Sequence, residues 1–165
     1  MKTGNPSILV FDREETFEAS NSRHQMKVKV KIGAKKDGTI EACDIYALSD
    51  QGAYGYHAFT TLNLVGNKTL PLYSRMRAAR FFGQVVYTNK LPGGAFRGYG
   101  AVQGTFALES MVNKLAKELN MDPVELRLKN TVQEGEKTLA YGIDVKSCKL
   151  NECIEKGREM IEWDK

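Results

Sequence analysis

The chain is poor in the residues that build cross-links and metal sites. It carries three cysteines and two histidines among 165 residues. Cys43, Cys148 and Cys153 are odd in number and contain no CxxC pair, which argues against a disulfide framework and against a zinc site. His24 and His57 lie far apart, and the sequence offers neither a metal-ligand cluster nor a Cys–His nucleophile pair. Long apolar runs are missing as well, so no segment is expected to span a bilayer and no membrane partner is expected. The segment Met1–Pro6 lacks the apolar core of a signal peptide, and a cytoplasmic protein is expected. No internal repeat and no low-complexity linker interrupts the chain, and its length fits one domain, residues 1–165. Massed positive charge is absent too. The net charge is +4, but the lysines are scattered, and Lys27, Lys29 and Lys31 alternate like the wet face of a strand. A basic nucleic-acid-binding domain would need clustered charge with interleaved aromatics, so no nucleic-acid partner is expected.

What is present is a sequence of strands followed by helices. Ser7–Phe11 is a short apolar run after Pro6 and predicts a strand; Asp12 before Arg13-Glu14-Glu15 predicts an N-cap with acids in the first helical turn. Met26, Val28, Val30 and Ile32 alternate with the three lysines, which predicts a half-buried strand. Lys36-Asp37-Gly38-Thr39 supplies a turn signal, and a strand from Ile40 to about Leu48 completes an antiparallel hairpin. His57–Asn67 is compatible with a short helix, and Phe81–Tyr87 with a strand. From Ala101 the period changes: Leu108, Met111, Val112, Leu115 and Leu119 form one helical stripe. Asp122-Pro123-Val124-Glu125 starts another helix with a cap, a proline at the first position and a capping-box acid. Residues 132–145 look irregular, and Leu150, Cys153, Ile154, Gly157 and Ile161 predict a last helix. The fold class expected is α+β: a mixed or antiparallel sheet with helices packed on it, strands mostly N-terminal and helices mostly C-terminal.

One stretch stands apart. In Gly93-Gly94-Ala95-Phe96-Arg97-Gly98-Tyr99-Gly100-Ala101-Val102-Gln103, four glycines crowd around an arginine and two aromatic rings, just ahead of the helical stripe. It is not a phosphate-binding P-loop, because no Gly-Lys-Ser/Thr follows. Nor is it a dinucleotide fingerprint, since Gly104 comes one residue too late. A helix N-terminus behind such a loop can hold an anion or oxo ligand. The structural alternative is a plain turn with Arg97 in a salt bridge and Phe96 in the core.

Gly94–Gln103 closely resembles the GAFRGFG-x-PQ loop of the molybdenum hydroxylases, the xanthine dehydrogenase and aldehyde oxidase family, in their molybdopterin-binding subunit. Other segments agree in order and spacing. Thr3-Gly4-Asn5-Pro6 ahead of Asp12–Glu15, Ser22-Arg23-His24, Gly33–Gly38, Gly52-Ala53-Tyr54, Asp122–Asn130 and Leu150–Cys153 all resemble family segments, so the likeness covers nearly the whole chain. The resemblance implies an oxidoreductase, part of a molybdenum-dependent hydroxylase acting on an aldehyde or N-heterocycle with water-derived oxygen. It implies a molybdenum-molybdopterin cofactor, with iron–sulfur clusters and FAD on partner domains or subunits. By the same resemblance Phe96, Arg97 and Gly98 bind the cofactor, with the Arg97 backbone amide beside a molybdenum ligand. Tyr99 faces the substrate where the family usually has phenylalanine, and Gln103 and Phe106 serve as scaffold.

The departures from the family matter equally. Purine-oxidising members carry a substrate-binding arginine upstream of this loop. Ungapped counting lands near Val65, and Leu62–Asn67 holds no arginine; Arg75 is the nearest candidate. Xanthine is therefore not the expected substrate. The family's catalytic glutamate sits in a G-x-GE segment that this chain lacks, so no catalytic residue is assigned. The chain is expected to be an excised or truncated module that needs the remaining molybdopterin-binding portion and does not turn over substrate alone. The alternative is a non-catalytic scaffold or interaction domain that keeps the fold without cofactor.

Overall fold

The computed structural model of the chain describes residues 4–139 and 141–164; Thr3, the first residue of the N-terminal family-like segment, lies outside them. Strands β1 (Gln25–Ala34), β2 (Ile40–Gly52) and β3 (Ala78–Tyr87) form one sheet in the order β1-β2-β3. β1 and β2 pair antiparallel, with Val28 opposite Ala47 and Val30 opposite Ile45. β2 and β3 pair parallel, with Ile45 opposite Phe81, so the sheet is mixed. Helices are α1 (Arg13–Ala19), α2 (Ala58–Asn67), α3 (Ala101–Glu118), α4 (Pro123–Asn130) and α5 (Leu150–Met160), and a 3-10 turn occupies Leu70–Tyr73. The expected α+β arrangement is what is observed, with the crossover through α2 making β3 parallel.

The hairpin turn is built as its sequence predicts. Gly38 has φ 85°, and Asp37 accepts from both the N–H and the hydroxyl of Thr39 at 3.0 Å. A second clip comes from far along the chain. The buried Asn130 side chain accepts from Ile40 N–H at 2.8 Å and donates to Gly38 C=O at 2.9 Å, so the end of α4 locks the start of β2. The period-two pattern of β1 turns Val30 inward, while β2, central in the sheet, buries Ile45 and Ala47 completely. On α3 the innermost line is Gly104, Leu108, Val112 and Ala116 at i, i+4 spacing. Leu108, Val112 and Leu126 join Ile45, Tyr73 and Met76 in the main core, each large apolar side chain contributing about 2 kcal/mol. A smaller cluster of Ala47, Leu62 and Val65 sits where α2 covers the sheet.

One expectation fails. Ser7–Phe11 forms no strand; Ile8, Leu9 and Val10 stand 92%, 80% and 81% exposed. Apolar composition alone does not make a strand, which needs a neighbour to take its N–H and C=O groups, and the sheet described here begins at β1. The neighbouring α1 also buries no residue, yet it forms, because Asp12 and Glu15 close a reciprocal capping box at 2.9 and 3.0 Å.

Candidate functional site

The glycine-rich turn is held from below and from behind. Below it, Gly93 N–H donates to Gln51 C=O and Gly94 N–H to Ser22 C=O, both at 2.9 Å. Both glycines are required by proximity: a Cβ on Gly93 would lie 2.6 Å from the His24 ring, and one on Gly94 2.5 Å from Asn21 Cβ. Behind it, Gly100 presses on α2, where a Cβ would stand 2.0 Å from Thr61 O. One turn later Gly104 repeats the contact, 2.4 Å from Val65 O. The start of α3 is thus clamped backbone to backbone against α2.

Between these anchors the turn is open. Gly98, Tyr99 and Gly100 run left-handed in succession, with φ of 84°, 41° and 94°. For tyrosine that conformation costs about 1 kcal/mol. The turn closes through Tyr99 N–H to Phe96 C=O and Ala101 N–H to Gly98 C=O, each 2.7 Å. Gly100 is the N-cap of α3 and has no side chain to satisfy the first-turn N–H groups. An uncapped helix start presents donors and the positive end of the helix dipole.

The side chains follow the same division. Phe96 is 51% exposed, with the Arg23 guanidinium stacked 4.6 Å from its ring centre. Arg97 is exposed and makes no hydrogen bond or ion pair with any described residue. The two uses a plain turn would give these residues, core and salt bridge, are both absent among the described residues. Tyr99 is half-buried, and its hydroxyl meets His57 Nδ1 at 2.5 Å, the rings edge to face at 5.5 Å.

Under the turn lies a buried polar layer. Gln51 donates from its amide to Gly93 C=O at 3.0 Å, so its Oε1 faces His24 Nε2 at 2.8 Å and accepts from it. His24 Nδ1, Arg23 Nη1 and Gln103 Oε1 are buried and have no hydrogen-bond partner among the described residues. Gln103 also donates to His24 C=O at 3.2 Å, tying α3 to this layer. Alongside runs a cleft lined by Phe17, Arg23, His24 and Lys90. At its rim Asp50 accepts from Thr88 at 2.7 Å, Lys90 at 2.9 Å and Gly52 N–H at 3.0 Å, which hold its carboxyl down at about 2. Among the described residues no three His, Cys, Asp or Glu side chains gather to hold a metal ion.

Of the residues singled out by sequence, Phe96, Arg97, Gly98 and Tyr99 therefore share one exposed turn. Gln103 faces the polar layer below it, while Phe106 is 75% exposed on α3 and packs into no core. Sequence reasoning did not connect His57 with Tyr99, 42 positions away, or Arg23 with Phe96, and it did not find Gln51. No spacing rule encodes those pairs, although the family-like Ser22-Arg23-His24 segment marked one half of the second.

No helix among the described residues is long and apolar enough to cross a membrane. The model of the molybdopterin cofactor-binding domain matches residues 1–131, a span that includes the whole turn. The xanthine dehydrogenase molybdenum-binding subunit of Escherichia coli O157:H7 is 40% identical over 98% of this chain and 21% of its own length. The nicotinate dehydrogenase large molybdopterin subunit of Eubacterium barkeri is 35% identical over 95% of this chain and 37% of its own length. Among solved structures, the aldehyde oxidoreductase of Desulfovibrio gigas superposes with a TM-score of 0.83 at 33% identity, covering 93% of this chain and 17% of that one. The chain spans about a fifth of the length of the E. coli relative. With a family model matched across most of its residues and a fold that superposes on a solved relative, the chain belongs to the molybdopterin cofactor-binding domain family.

Proposed function

We propose that residues 1–165 form one module of the molybdenum-cofactor-binding region of a larger subunit, in a cytoplasmic oxidoreductase that hydroxylates an aldehyde or N-heterocycle. The observation that carries this reading is the open turn Phe96–Gly100. It is rigidly backed by α2, left-handed at three consecutive residues, uncapped at the helix it starts, and furnished with an arginine that has no partner among the described residues. The chain's groups fit an anionic, oxygen-bearing ligand: the free guanidinium of Arg97, the helix start, and the orphaned Arg23 Nη1, a donor lacking an acceptor.

When bound, the molybdenum-molybdopterin cofactor supplies the oxidation of an electron-poor carbon with oxygen drawn from water. The chain's own residues bind and orient. The Arg97 main-chain N–H would hold a ligand of the metal and its free guanidinium an anionic oxygen of the cofactor, Phe96 and Gly98 would shape the turn around them, and Tyr99 would offer its ring to a flat substrate. The remaining molybdopterin-binding portion completes the pocket, and iron–sulfur and FAD domains or subunits carry the electrons away. No nucleic-acid or membrane partner is part of this reading.

The test is molybdenum content, by elemental mass spectrometry, of the complete subunit purified with its native partners, beside Arg97→Ala. About one molybdenum per subunit, depleted in the variant, is the expected result. A folded complex from a molybdenum-replete host that holds none overturns the reading in favour of a scaffold domain.

A further inference from the structure

His57 occupies the N-cap position of α2 but caps nothing: its side chain makes no bond to the helix start. Its imidazole reaches across to the glycine-rich turn, where Nδ1 lies 2.5 Å from the Tyr99 hydroxyl and the two rings meet at 80°. Tyr99 in turn holds a left-handed backbone that a bulky residue seldom adopts, with φ 41°. Both residues sit on the same clamp. Gly100 abuts Thr61 O and Gly104 abuts Val65 O, so α2 and the turn cannot drift apart without breaking close backbone contact. The pair is therefore held from both sides rather than formed by two mobile side chains.

A phenolic hydroxyl donates one hydrogen bond and accepts others. Engaged by His57, the Tyr99 hydroxyl is fixed in rotation and retains its unused hydrogen-bonding valence in a set direction. The segment that carries His57 also exposes three rings: Tyr54, Tyr56 and Phe59 are 64%, 63% and 75% exposed. Stacking on rings does not distinguish one flat molecule from another, whereas a hydroxyl held in one direction does, because it can pair with a nitrogen or oxygen on the ring edge and offers a plain aryl edge nothing.

We propose that His57 is a positioning residue that fixes the Tyr99 hydroxyl, and that this pair biases the pocket toward heteroaromatic substrates whose ring edge carries a hydrogen-bonding nitrogen or oxygen, over plain aryl aldehydes. This rests on the reading of Tyr99 as a substrate-facing residue of a hydroxylase.

Two measurements on the complete subunit with its partners test it. The first places 3-fluorotyrosine at position 99 and follows its ¹⁹F resonance, with folding checked by circular dichroism. The resonance moves in His57→Ala and returns part of the way in His57→Asn, which keeps a hydrogen-bonding side chain at the helix start. An unmoved resonance in folded His57→Ala overturns the positioning role, whether or not the protein holds molybdenum. The second compares hypoxanthine, nicotinate and quinoline with benzaldehyde. In His57→Ala the KM for the best heteroaromatic rises about tenfold, the equivalent of one hydrogen bond, with a smaller change in kcat and a smaller penalty on benzaldehyde. Equal penalties on both classes, or no turnover of any of the four with molybdenum bound, overturn the specificity. A ¹⁹F shift in a protein that binds no molybdenum leaves the pair standing and overturns the hydroxylase reading instead.

Discussion

Two helices of this chain begin in opposite ways. At α4, Asp122 accepts from the N–H groups of Val124 and Glu125 at 2.7 and 3.1 Å, Pro123 supplies a first position that needs no partner, and Glu125 adds charge that suits the dipole. At α3, Gly100 caps with no side chain, its φ is 94°, and the residues before it are a left-handed tyrosine and another left-handed glycine. The first start is satisfied from within the chain and has nothing left to offer. The second is strained and has no side-chain cap, yet it is pressed onto α2 so closely that only glycine fits. A helix start that is structurally expensive and chemically open is what a ligand-binding turn needs, and the stability for it comes from the clamp on α2.

The largest effect should come from breaking that clamp. Gly100→Ala places a Cβ on Thr61 O and forbids the φ, so α3 must retreat from α2; the expected loss is about 3 kcal/mol by urea unfolding. Gly135→Ala is the comparison that isolates conformation: its φ is 85° but no described residue comes within 4 Å of the added methyl, so about 1 kcal/mol is expected. If the two variants cost the same, the close approach to α2 contributes nothing and the clamp is not what holds the turn.

The satisfied helix start should be the milder lesion. Asp122→Ala removes one cap from α4 and a 2.8 Å bond from the Trp163 indole, with about 1 kcal/mol lost and the α3 turn undisturbed. Thermal unfolding of this variant beside Gly100→Ala ranks the two starts directly. A loss in Asp122→Ala as large as in Gly100→Ala would mean that capping, and not packing, dominates both.

Much of this contrast was legible in the sequence, and the illegible part has a physical reason. Asp122-Pro123 announces a capped helix because capping is local chemistry. The alternation in β1 and the Leu108–Val112 stripe announce a strand and a helix because periodicity follows backbone geometry. The glycines around Arg97 signalled a special turn, but not that Gly100 and Gly104 would meet α2 carbonyls, since that depends on how two helices pack. His57 with Tyr99 and Arg23 with Phe96 were illegible for the same reason: the tertiary fold brings them together and no spacing records it. Ser7–Phe11 misled because apolar composition describes a preference for burial, not the neighbour that would provide it.

The β2 side of the turn is fastened by a carboxylate, and its contribution shows in acid. Asp50 ties the end of β2 to Thr88 and Lys90 on the approach to the turn, and Thr88 most of all, then Lys90, hold its carboxyl down at about 2. An unfolded aspartate titrates near 4. Because the folded value is the lower one, this stabilisation is complete above about pH 4 and is lost as the pH falls toward 2. Asp50→Asn should therefore flatten the fall in stability across that window while leaving the neutral-pH profile parallel to the unmodified protein. An unchanged acid profile would show that Asp50 is not what fastens this side of the turn.

The smallest effect on folding is expected where the effect on function is expected to be large. Arg23 stacks on the Phe96 ring, so Arg23→Ala should cost about 0.5–1 kcal/mol. Arg97 is exposed and touches no polar partner among the described residues, so Arg97→Ala should leave the unfolding midpoint within about 0.5 kcal/mol of the unmodified chain. That neutrality is what makes molybdenum depletion in the same variant interpretable. Selection for folding alone gives no reason to hold a charged side chain on a strained, glycine-locked turn with no partner among the described residues. If Arg97→Ala instead destabilises the chain by more than about 1 kcal/mol, the guanidinium has a structural partner, the turn resembles the satisfied start of α4 more than its open opposite, and loss of cofactor in that variant says nothing about binding.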